Sequence, residues 1–157
     1  MAELIERDIS EEDTLSNRYL TFRVDKEVYG IELKYVTEIV GVQPITEIPE
    51  MPEFVRGIMN LRGRIIPVMD LRLRFKKPFK EYNDRTCIIV AESGERVFGF
   101  AVDSVSEVTA IPPSNIDRPP DLVKKGGENF ILGIGKVNGD VKLLLDCEKL
   151  LDINIEL

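Results

Sequence analysis

The chemistry open to this chain is limited by the side chains that it lacks. None of its 157 residues is histidine, so the commonest general base and the commonest metal ligand are both missing. Its two cysteines, Cys87 and Cys147, have neither a C-x-x-C spacing nor a third ligand nearby in the sequence. No phosphate-binding motif of the G-x-x-x-x-G-K-[ST] or G-x-G-x-x-G type occurs. We therefore expect a protein that is not an enzyme and that uses no metal and no cofactor.

The most informative polar side chain is Arg62, which lies with Gly63 at the tip of a predicted hairpin. A charged side chain at such a tip is tolerated simply because water solvates it. A guanidinium held by a turn can also form paired hydrogen bonds with a carboxylate or carbonyl group of a partner. The equivalent turn later in the chain is Asn138-Gly139. If these positions needed only a residue that suits the turn, Asn-Gly would serve at both. We therefore favour a binding role for Arg62 over a side chain that is only solvated.

The elements that position these residues occur twice in the chain. Gly30 returns as Gly99 after a shift of 69 positions, and Gly57 returns as Gly133 after a shift of 76. Two copies of one small β unit are the expected product. The repeated blocks are Tyr29–Ile39 with Phe98–Val108, and Phe54–Ile58 with Phe130–Ile134.

Short strands with glycine or proline turns predict an all-β fold of small barrels rather than an α/β layer. Residues 55–61 and 64–69 are predicted to form one hairpin, and its counterpart in the second copy turns at Asn138. Short helices are expected after the two hairpins, capped by Asp70 and Asp146. The stretch 43–53 is predicted to be a loop or irregular edge, and the segment between 109 and 130 is predicted to be an exposed loop. Turn or structural roles are expected for five glycines, namely Gly30, Gly63, Gly99, Gly133 and Gly139.

One folded domain is expected over 17–151, with approximate halves 17–84 and 85–151. An acidic, flexible tail at 1–16 and a C-terminal tail at 152–157 are expected to flank it. A half of this size buries only about 60% of its unfolded surface, so each half alone would be marginally stable. The 43% of apolar residues is enough for the halves to pack on one shared hydrophobic core.

Charge is unevenly distributed along the chain. The net charge is −7, yet residues 55–80 hold eight arginines and lysines against the single acid Asp70. Phe75, Phe79 and Tyr82 alternate with these cations, which is typical of a nucleic-acid-binding strip. The acidic total and the lack of a second basic cluster weigh against nucleic acid. A solvated face or a protein contact is the favoured interpretation.

An apolar motif with one glutamate occurs in both copies of the repeat. Most of its apolar side chains are predicted to lie in the core. A shallow apolar groove where the two units meet would nevertheless accept a helix of a partner protein, with the glutamates on its rim. The two occurrences are Val36-x-Glu38-Ile39 and Val105-x-Glu107-Val108.

The stretch from Gly57 to Arg72 resembles the signature of the bacterial chemotaxis coupling family CheW, approximately G-x-x-N-L-R-G-x-[IV]-[VIL]-P-[VI]-[VIL]-D-L-R. Tyr29–Ile39 and Glu148–Leu151 also look like this family, and the resemblance extends over about 17–151. It implies two pseudo-symmetric SH3-like five-stranded β-barrels packed on a shared hydrophobic core, with one or two short helices.

The resemblance also implies a function and a site. The function would be that of a non-catalytic adaptor that couples methyl-accepting chemotaxis receptors to the chemotaxis histidine kinase in a signalling array. The implied partners are the cytoplasmic tip of the receptors and the regulatory domain of the CheA-type kinase, without nucleic acid or direct membrane insertion. By matching positions, the expected receptor-binding residues are Val36, Glu38, Ile39, Gly57, Arg62, Val105 and Val108.

Two other functions compete with this one. The second preference is a generic SH3-like interaction scaffold, and the third is a nucleic-acid-binding β-barrel. Lipoyl-type β domains present a lysine at a hairpin tip, whereas the tips here carry Arg62 and Asn138. No signal-peptide pattern and no apolar run of roughly 20 residues is present, so we expect a cytoplasmic protein. The resemblance implies in addition that it is associated with receptor arrays at the inner membrane.

Overall fold

The computed structural model describes residues 16–119 and 130–153. The tails expected at 1–16 and 152–157, and part of the loop after residue 109, lie largely outside these ranges. The strands are β1 Arg18–Val24, β2 Glu27–Glu32, β3 Val36–Gly41, β4 Val55–Leu61, β5 Arg64–Asp70, β6 Cys87–Ser93, β7 Arg96–Val102, β8 Ser104–Ala110, β9 Ile116–Asp117, β10 Ile131–Val137 and β11 Asp140–Leu145. The α-helices are α1 Leu71–Arg74 and α2 Cys147–Leu151.

These strands form two sheets, which we name after their long hairpins. The β4–β5 barrel has the strand order β3-β6-β7-β5-β4, and the β10–β11 barrel has the order β8-β1-β2-β11-β10-β9. The expectation of an all-β fold with two SH3-like barrels and short helices is confirmed. Neither sheet consists of one half of the chain, because the parallel pairs β5–β7 and β2–β11 join strands of opposite halves.

The pairing register reproduces the repeat found in the sequence. Val68 of β5 lies opposite Gly99 of β7, and Leu144 of β11 lies opposite Gly30 of β2. Each of these pairs becomes the other when the shifts of 69 and 76 positions are applied. The register shift between Val36 and Glu38 of β3 also returns in the β1–β8 pair. The two sheets are therefore copies of one unit that exchange strands reciprocally.

The two long hairpins have the turns that their sequences predict. At the β4–β5 turn the φ angles are 51° for Arg62 and 87° for Gly63, and at the β10–β11 turn they are 50° for Asn138 and 82° for Gly139. Positive φ at both central residues is the pattern of a type I′ turn, which matches the twist of the flanking strands. Both predicted hairpins are confirmed.

A short helix follows each hairpin, as expected. The Asp70 side chain accepts a hydrogen bond of 3.2 Å from the backbone N–H of Leu73 at the start of α1. The Asp146 side chain does the same for Lys149 in α2, also at 3.2 Å. The two aspartates therefore satisfy backbone donors that the first helical turn leaves without an intrahelical partner.

The largest hydrophobic cluster lies between the barrels and includes side chains from both. Phe22 and Ile31 come from the β10–β11 barrel, Ile89 and Phe100 come from the β4–β5 barrel, and all four are fully buried. Because one cluster serves both sheets, the barrels form a single body, and the expected shared core is confirmed.

Two segments expected to be loops contribute to the sheets. Thr46, in the predicted loop 43–53, forms an isolated bridge with Ile58 of β4. The segment after 109 was expected to be an exposed loop, which is wrong for Ile111, whose side chain is fully buried. That segment also contains β9, which pairs with β10. Thr46 and β9 are both held in place by backbone pairing with an edge strand. These pairings satisfy backbone N–H and C=O groups of β4 and β10 that would otherwise lack a partner.

Candidate protein-interaction site

The predicted receptor-binding residues lie mainly on two outermost strands, one in each barrel. Glu38 and Ile39 belong to β3, which lies at one edge of the β4–β5 barrel. Val105 and Val108 belong to β8, which lies at one edge of the β10–β11 barrel. The repeat thus places equivalent residues on equivalent edges of the two barrels.

Val36 and Gly57 do not offer side-chain surface to a partner. The Val36 side chain is only 3% exposed and belongs to the shared core. Gly57 is buried in β4, and a Cβ atom built on it would lie 2.1 Å from the backbone oxygen of Thr46. Glycine is therefore required at this position because the backbone of Thr46, and not a partner protein, lies against it. Direct receptor contact by either residue does not fit this burial.

The remaining apolar candidates border the shared core. Ile39, Val105 and Val108 are each partly buried, and all three pack against the central cluster. Their outer faces are therefore held by a rigid interior, while part of each side chain stays accessible. Such half-buried positions can bury further apolar area against a partner helix without rearrangement of the core.

Arg62 and Glu38, both expected to face the receptor, form an ion pair with each other. The Arg62 side chain is 68% exposed and the Glu38 side chain is 28% exposed. The hydrogen bond and the charge of Glu38 raise the pKa of Arg62 above its ordinary value. The pair holds the tip of the β4–β5 hairpin over β3, so that the two edges of this barrel meet. A guanidinium placed in this way retains donors for a partner.

A second ion pair lies across the same barrel and was not found from the sequence. Arg64 of β5 donates two hydrogen bonds to the Glu92 carboxylate of β6, at 3.0 and 2.5 Å. The hydrogen bond from Arg64 is the main cause of a lowered pKa for Glu92. One signal was available: the repeat places Asp140 and Arg23 at the equivalent positions, with both charges reversed.

Many cations of the basic stretch 55–80 are paired within the chain. Arg72 donates hydrogen bonds of 2.9 and 2.8 Å to Asp103, which precedes β8. Burial raises the pKa of Asp103, but hydrogen bonds from Arg72 and from the Asp25 N–H outweigh it, so the pKa lies below its ordinary value. The Arg56 guanidinium lies 4.5 Å from the centre of the Phe79 ring. These contacts favour a structural use of the cations over a nucleic-acid strip.

The described residues also bear on metal binding, on thiol chemistry and on helices that could span a membrane. Within residues 16–119 and 130–153, no three histidine, cysteine, aspartate or glutamate side chains cluster closely enough to hold a metal ion. Burial is the main cause that raises the pKa of the Cys147 thiol to about 12, so this thiol is protonated at neutral pH. In the same ranges, no helix has the length and apolar character needed to cross a membrane.

Comparison with known proteins identifies the family. The family model described as CheW-like domain matches residues 18–154, which includes both barrels. The chain belongs to the CheW-like family. The chemotaxis protein CheW of Klebsiella aerogenes is 35% identical over 139 residues, which cover 88% of this chain and 84% of the relative. The chemotaxis protein CheW of Bacillus subtilis is 30% identical, with 86% of each chain covered.

A solved CheW-like structure has the same architecture. The crystal structure of the scaffolding protein TtCheW from Thermoanaerobacter tengcongensis superposes with a TM-score of 0.80 at 34% sequence identity. The match covers 88% of this chain and 94% of TtCheW. The CheW-like fold is therefore similar over nearly the whole length of both proteins, and the resemblance first noted around Arg62 extends to the complete domain.

Proposed function

We propose that the chain is a non-catalytic adaptor that couples methyl-accepting chemotaxis receptors to the chemotaxis histidine kinase. Membership of the CheW-like family already supports a general role as an adaptor in chemotaxis signalling. The observation that carries the proposal is the match of the family model to residues 18–154, which spans both barrels. The proposal goes further in naming the receptor and the kinase as partners. It also places the chain in the cytoplasm at receptor arrays.

The architecture suits an adaptor because one rigid body offers two similar surfaces. The shared core joins the barrels, so a force applied to one barrel reaches the other through packed side chains. The two barrels carry related but different sequences, so one partner can bind across β3 and β8 while a second partner binds another part of the barrels. A receptor bound at one surface can then change the affinity for the kinase at another, with the coupling acting equally in both directions.

The proposed receptor surface comprises the accessible members of the predicted set. Ile39, Val105 and Val108 would supply apolar contact with a receptor helix. Glu38 and Arg62 would fix its register through polar contacts at the rim. Val36 and Gly57 would shape this surface from beneath, as their burial requires. The proposed kinase surface is a different part of the barrels, which binds the regulatory domain of the kinase.

A substitution of Arg62 by asparagine tests the receptor site with little disturbance of the fold. Asparagine is the residue of the equivalent turn at Asn138, where φ is 50°, so the Arg62→Asn hairpin retains favourable turn chemistry. We expect roughly fivefold weaker binding of a receptor cytoplasmic fragment, the upper range for loss of one exposed charge pair. Receptor-dependent activation of the kinase is expected to fall with it. Co-sedimentation with receptor fragments and kinase measures both.

The matched control is Asn138→Ala, which alters the equivalent turn outside the proposed receptor surface. It is expected to leave receptor binding within about twofold of the parent chain, because position 138 lies outside the proposed surface, although alanine at a φ of 50° makes the turn itself less favourable. If Arg62→Asn leaves receptor binding and kinase activation intact, the site assignment is wrong. If the parent chain binds neither fragment, the generic interaction scaffold replaces the chemotaxis adaptor as the preferred function.

A further inference from the structure

An arginine lies between two equivalent aromatic rings where the barrels meet. The Arg74 guanidinium carbon is 4.3 Å from the ring centre of Phe54 and 4.3 Å from that of Phe130. Phe54 directly precedes β4 of one barrel, and Phe130 directly precedes β10 of the other. Their backbone oxygens accept equivalent 2.7 Å hydrogen bonds from the N–H groups of Asp70 and Asp146. One cation therefore contacts both copies of the same structural position.

The repeat is asymmetric at this point. The positions equivalent to Arg74 and Phe75 are Leu150 and Leu151 in α2, and both leucines are fully buried. At the C-terminal end of α1 the corresponding pair, Arg74 and the capping residue Phe75, carries a charge and an aromatic ring instead. The Phe75 ring lies 5.0 Å from the ring of Tyr29 in β2. Although α1 follows β5 of the β4–β5 barrel, its C-terminal end thus reaches into the β10–β11 barrel.

We propose that Arg74 is a positioning residue that sets the orientation of one barrel relative to the other. The shared core joins the barrels in one rigid body, but its aliphatic contacts are individually non-directional, so repacking of these side chains can accommodate a small change of angle. A cation above an aromatic ring is attracted only within about 6 Å of the ring centre. Arg74 can keep both Phe54 and Phe130 within that distance only while the barrels retain their relative placement.

This orientation bears on the receptor site, a consequence that rests on the proposed function. Ile39 lies on β3 of the β4–β5 barrel, and Val108 lies on β8 of the β10–β11 barrel. The spacing between these two parts of the surface therefore depends on how the barrels are turned. A change at Arg74 would alter receptor binding although the residue touches no receptor, because it would separate side chains that must contact one helix together.

Residual dipolar couplings of backbone amides measure the orientation directly in the free protein. Two sheets held rigidly fit one alignment tensor, and their relative angle follows from that fit. Arg74→Leu introduces the residue found at Leu150 and removes the cation. We expect the two sheets of Arg74→Leu to show a changed relative angle, while each sheet retains its internal couplings. Arg74→Lys, which keeps the charge but not the flat guanidinium, is expected to show a smaller change.

Arg56→Leu is the matched control, because the Arg56 guanidinium of β4 also lies over a phenylalanine, Phe79, whose ring contacts Tyr82 beside the interior of the same β4–β5 barrel. Its couplings are expected to fit the parent orientation. Couplings of Arg74→Leu that fit the parent orientation with one tensor would overturn the proposal. If Arg74→Leu does not fold, the lysine variant decides: an unchanged angle in Arg74→Lys contradicts the proposal, and a changed angle supports it.

A second measurement tests the functional consequence. Titration of Arg74→Leu with a receptor cytoplasmic fragment is expected to show about fivefold weaker binding, the lower end of typical coupling between sites. Arg56→Leu is expected to bind like the parent chain. A changed barrel angle with unchanged receptor affinity would contradict the link to the receptor site. Failure of the parent chain to bind receptor would refute the proposed function and leave the orientation result standing.

Discussion

Arg62 occupies a backbone conformation that other residues adopt more easily. Its φ of 51° lies in the left-handed region, where asparagine and glycine are favoured over residues with longer side chains. The equivalent turn uses Asn138 at a φ of 50°, so the fold itself is satisfied by asparagine. The ion pair with Glu38 compensates part of this cost, but it is largely exposed and contributes little stability. An arginine retained in a strained turn therefore supports a role in binding.

Gly57 is fixed by contact within the chain, and this gives a sharp prediction at the scale of one residue. Its φ is +143°, and an added Cβ atom would lie 2.1 Å from the backbone oxygen of Thr46. We expect Gly57→Ala to lower the free energy of unfolding by roughly 3 kcal/mol or more, because backbone strain and a backbone clash act together. Urea denaturation followed by circular dichroism measures this loss.

Gly41→Ala is the matched control for Gly57→Ala. Gly41 ends β3, has no positive φ in the left-handed range, and has nothing within 4 Å of an added Cβ atom. Its substitution is expected to change the free energy of unfolding by less than about 0.5 kcal/mol. Equal stability of the Gly57→Ala and Gly41→Ala variants would show that the Thr46 contact does not constrain position 57.

The sequence singles out Arg62 as a candidate binding residue, but it does not report the contacts around this side chain. Comparison of Arg62 with Asn138 was enough to single out this side chain, because both turns follow from local sequence. Its pairing with Glu38 depends on closure of the β4–β5 barrel, which no local pattern reports. Val36 was assigned to the receptor surface, yet it lies in the core, since apolar residues of a groove and of a core share one periodicity.

At the scale of elements, the hairpins were predictable and their partners were not. Each long hairpin is encoded by a two-residue turn between alternating strands, so it follows from a short stretch of sequence. The parallel pairs β5–β7 and β2–β11 join strands that are distant in sequence. The repeat indicates two equivalent units, but it is consistent both with one barrel per half and with reciprocal exchange of strands.

The exchange predicts that neither half folds alone. Residues 17–84 contain β1 to β5, and residues 85–151 contain β6 to β11, so each fragment would leave both sheets incomplete. We expect each purified fragment to lack a cooperative thermal transition, because its strands have lost their partners and its apolar faces are exposed. Circular dichroism melting of each fragment measures this property.

Mixing the two fragments is the control for damage caused by cleavage. An equimolar mixture is expected to recover the β-sheet spectrum and a cooperative melt, since together the fragments contain all strands of both sheets. A cooperative melt of residues 17–84 alone would contradict the importance of exchange and would favour one barrel per half. An inert mixture would instead mean that the connection between the halves is needed for assembly.

For the molecule as a whole, the two barrel interiors are unequal although their strands are equivalent. Met59 and Ile66 of the β4–β5 barrel correspond to Gly135 and Lys142 of the β10–β11 barrel. The first interior cluster comprises Met59, Leu61, Ile66, Val68, Ile88, Val90 and Ala101, and the second comprises Tyr19, Ile111 and Leu144. Among the residues that the structure describes, the β10–β11 barrel thus buries fewer apolar side chains of its own and depends more on the shared core.

This inequality predicts a gradient of local stability that hydrogen exchange can measure. Amides of β10 and β11 are expected to open with a free energy at least about 2 kcal/mol below those of β4 and β5, since the large apolar side chains of Met59 and Ile66 are replaced by Gly135 and Lys142 and burial of each contributes about 1.5–3 kcal/mol. Strands β1 and β6 provide the internal control, because both contribute to the shared core and should be protected alike. Equal protection of β4 and β10 would show that the shared core, and not the separate interiors, determines opening.

A less stable β10–β11 barrel would also mean that the more easily deformed part of the adaptor is the barrel that contains β8, where Val105 and Val108 lie.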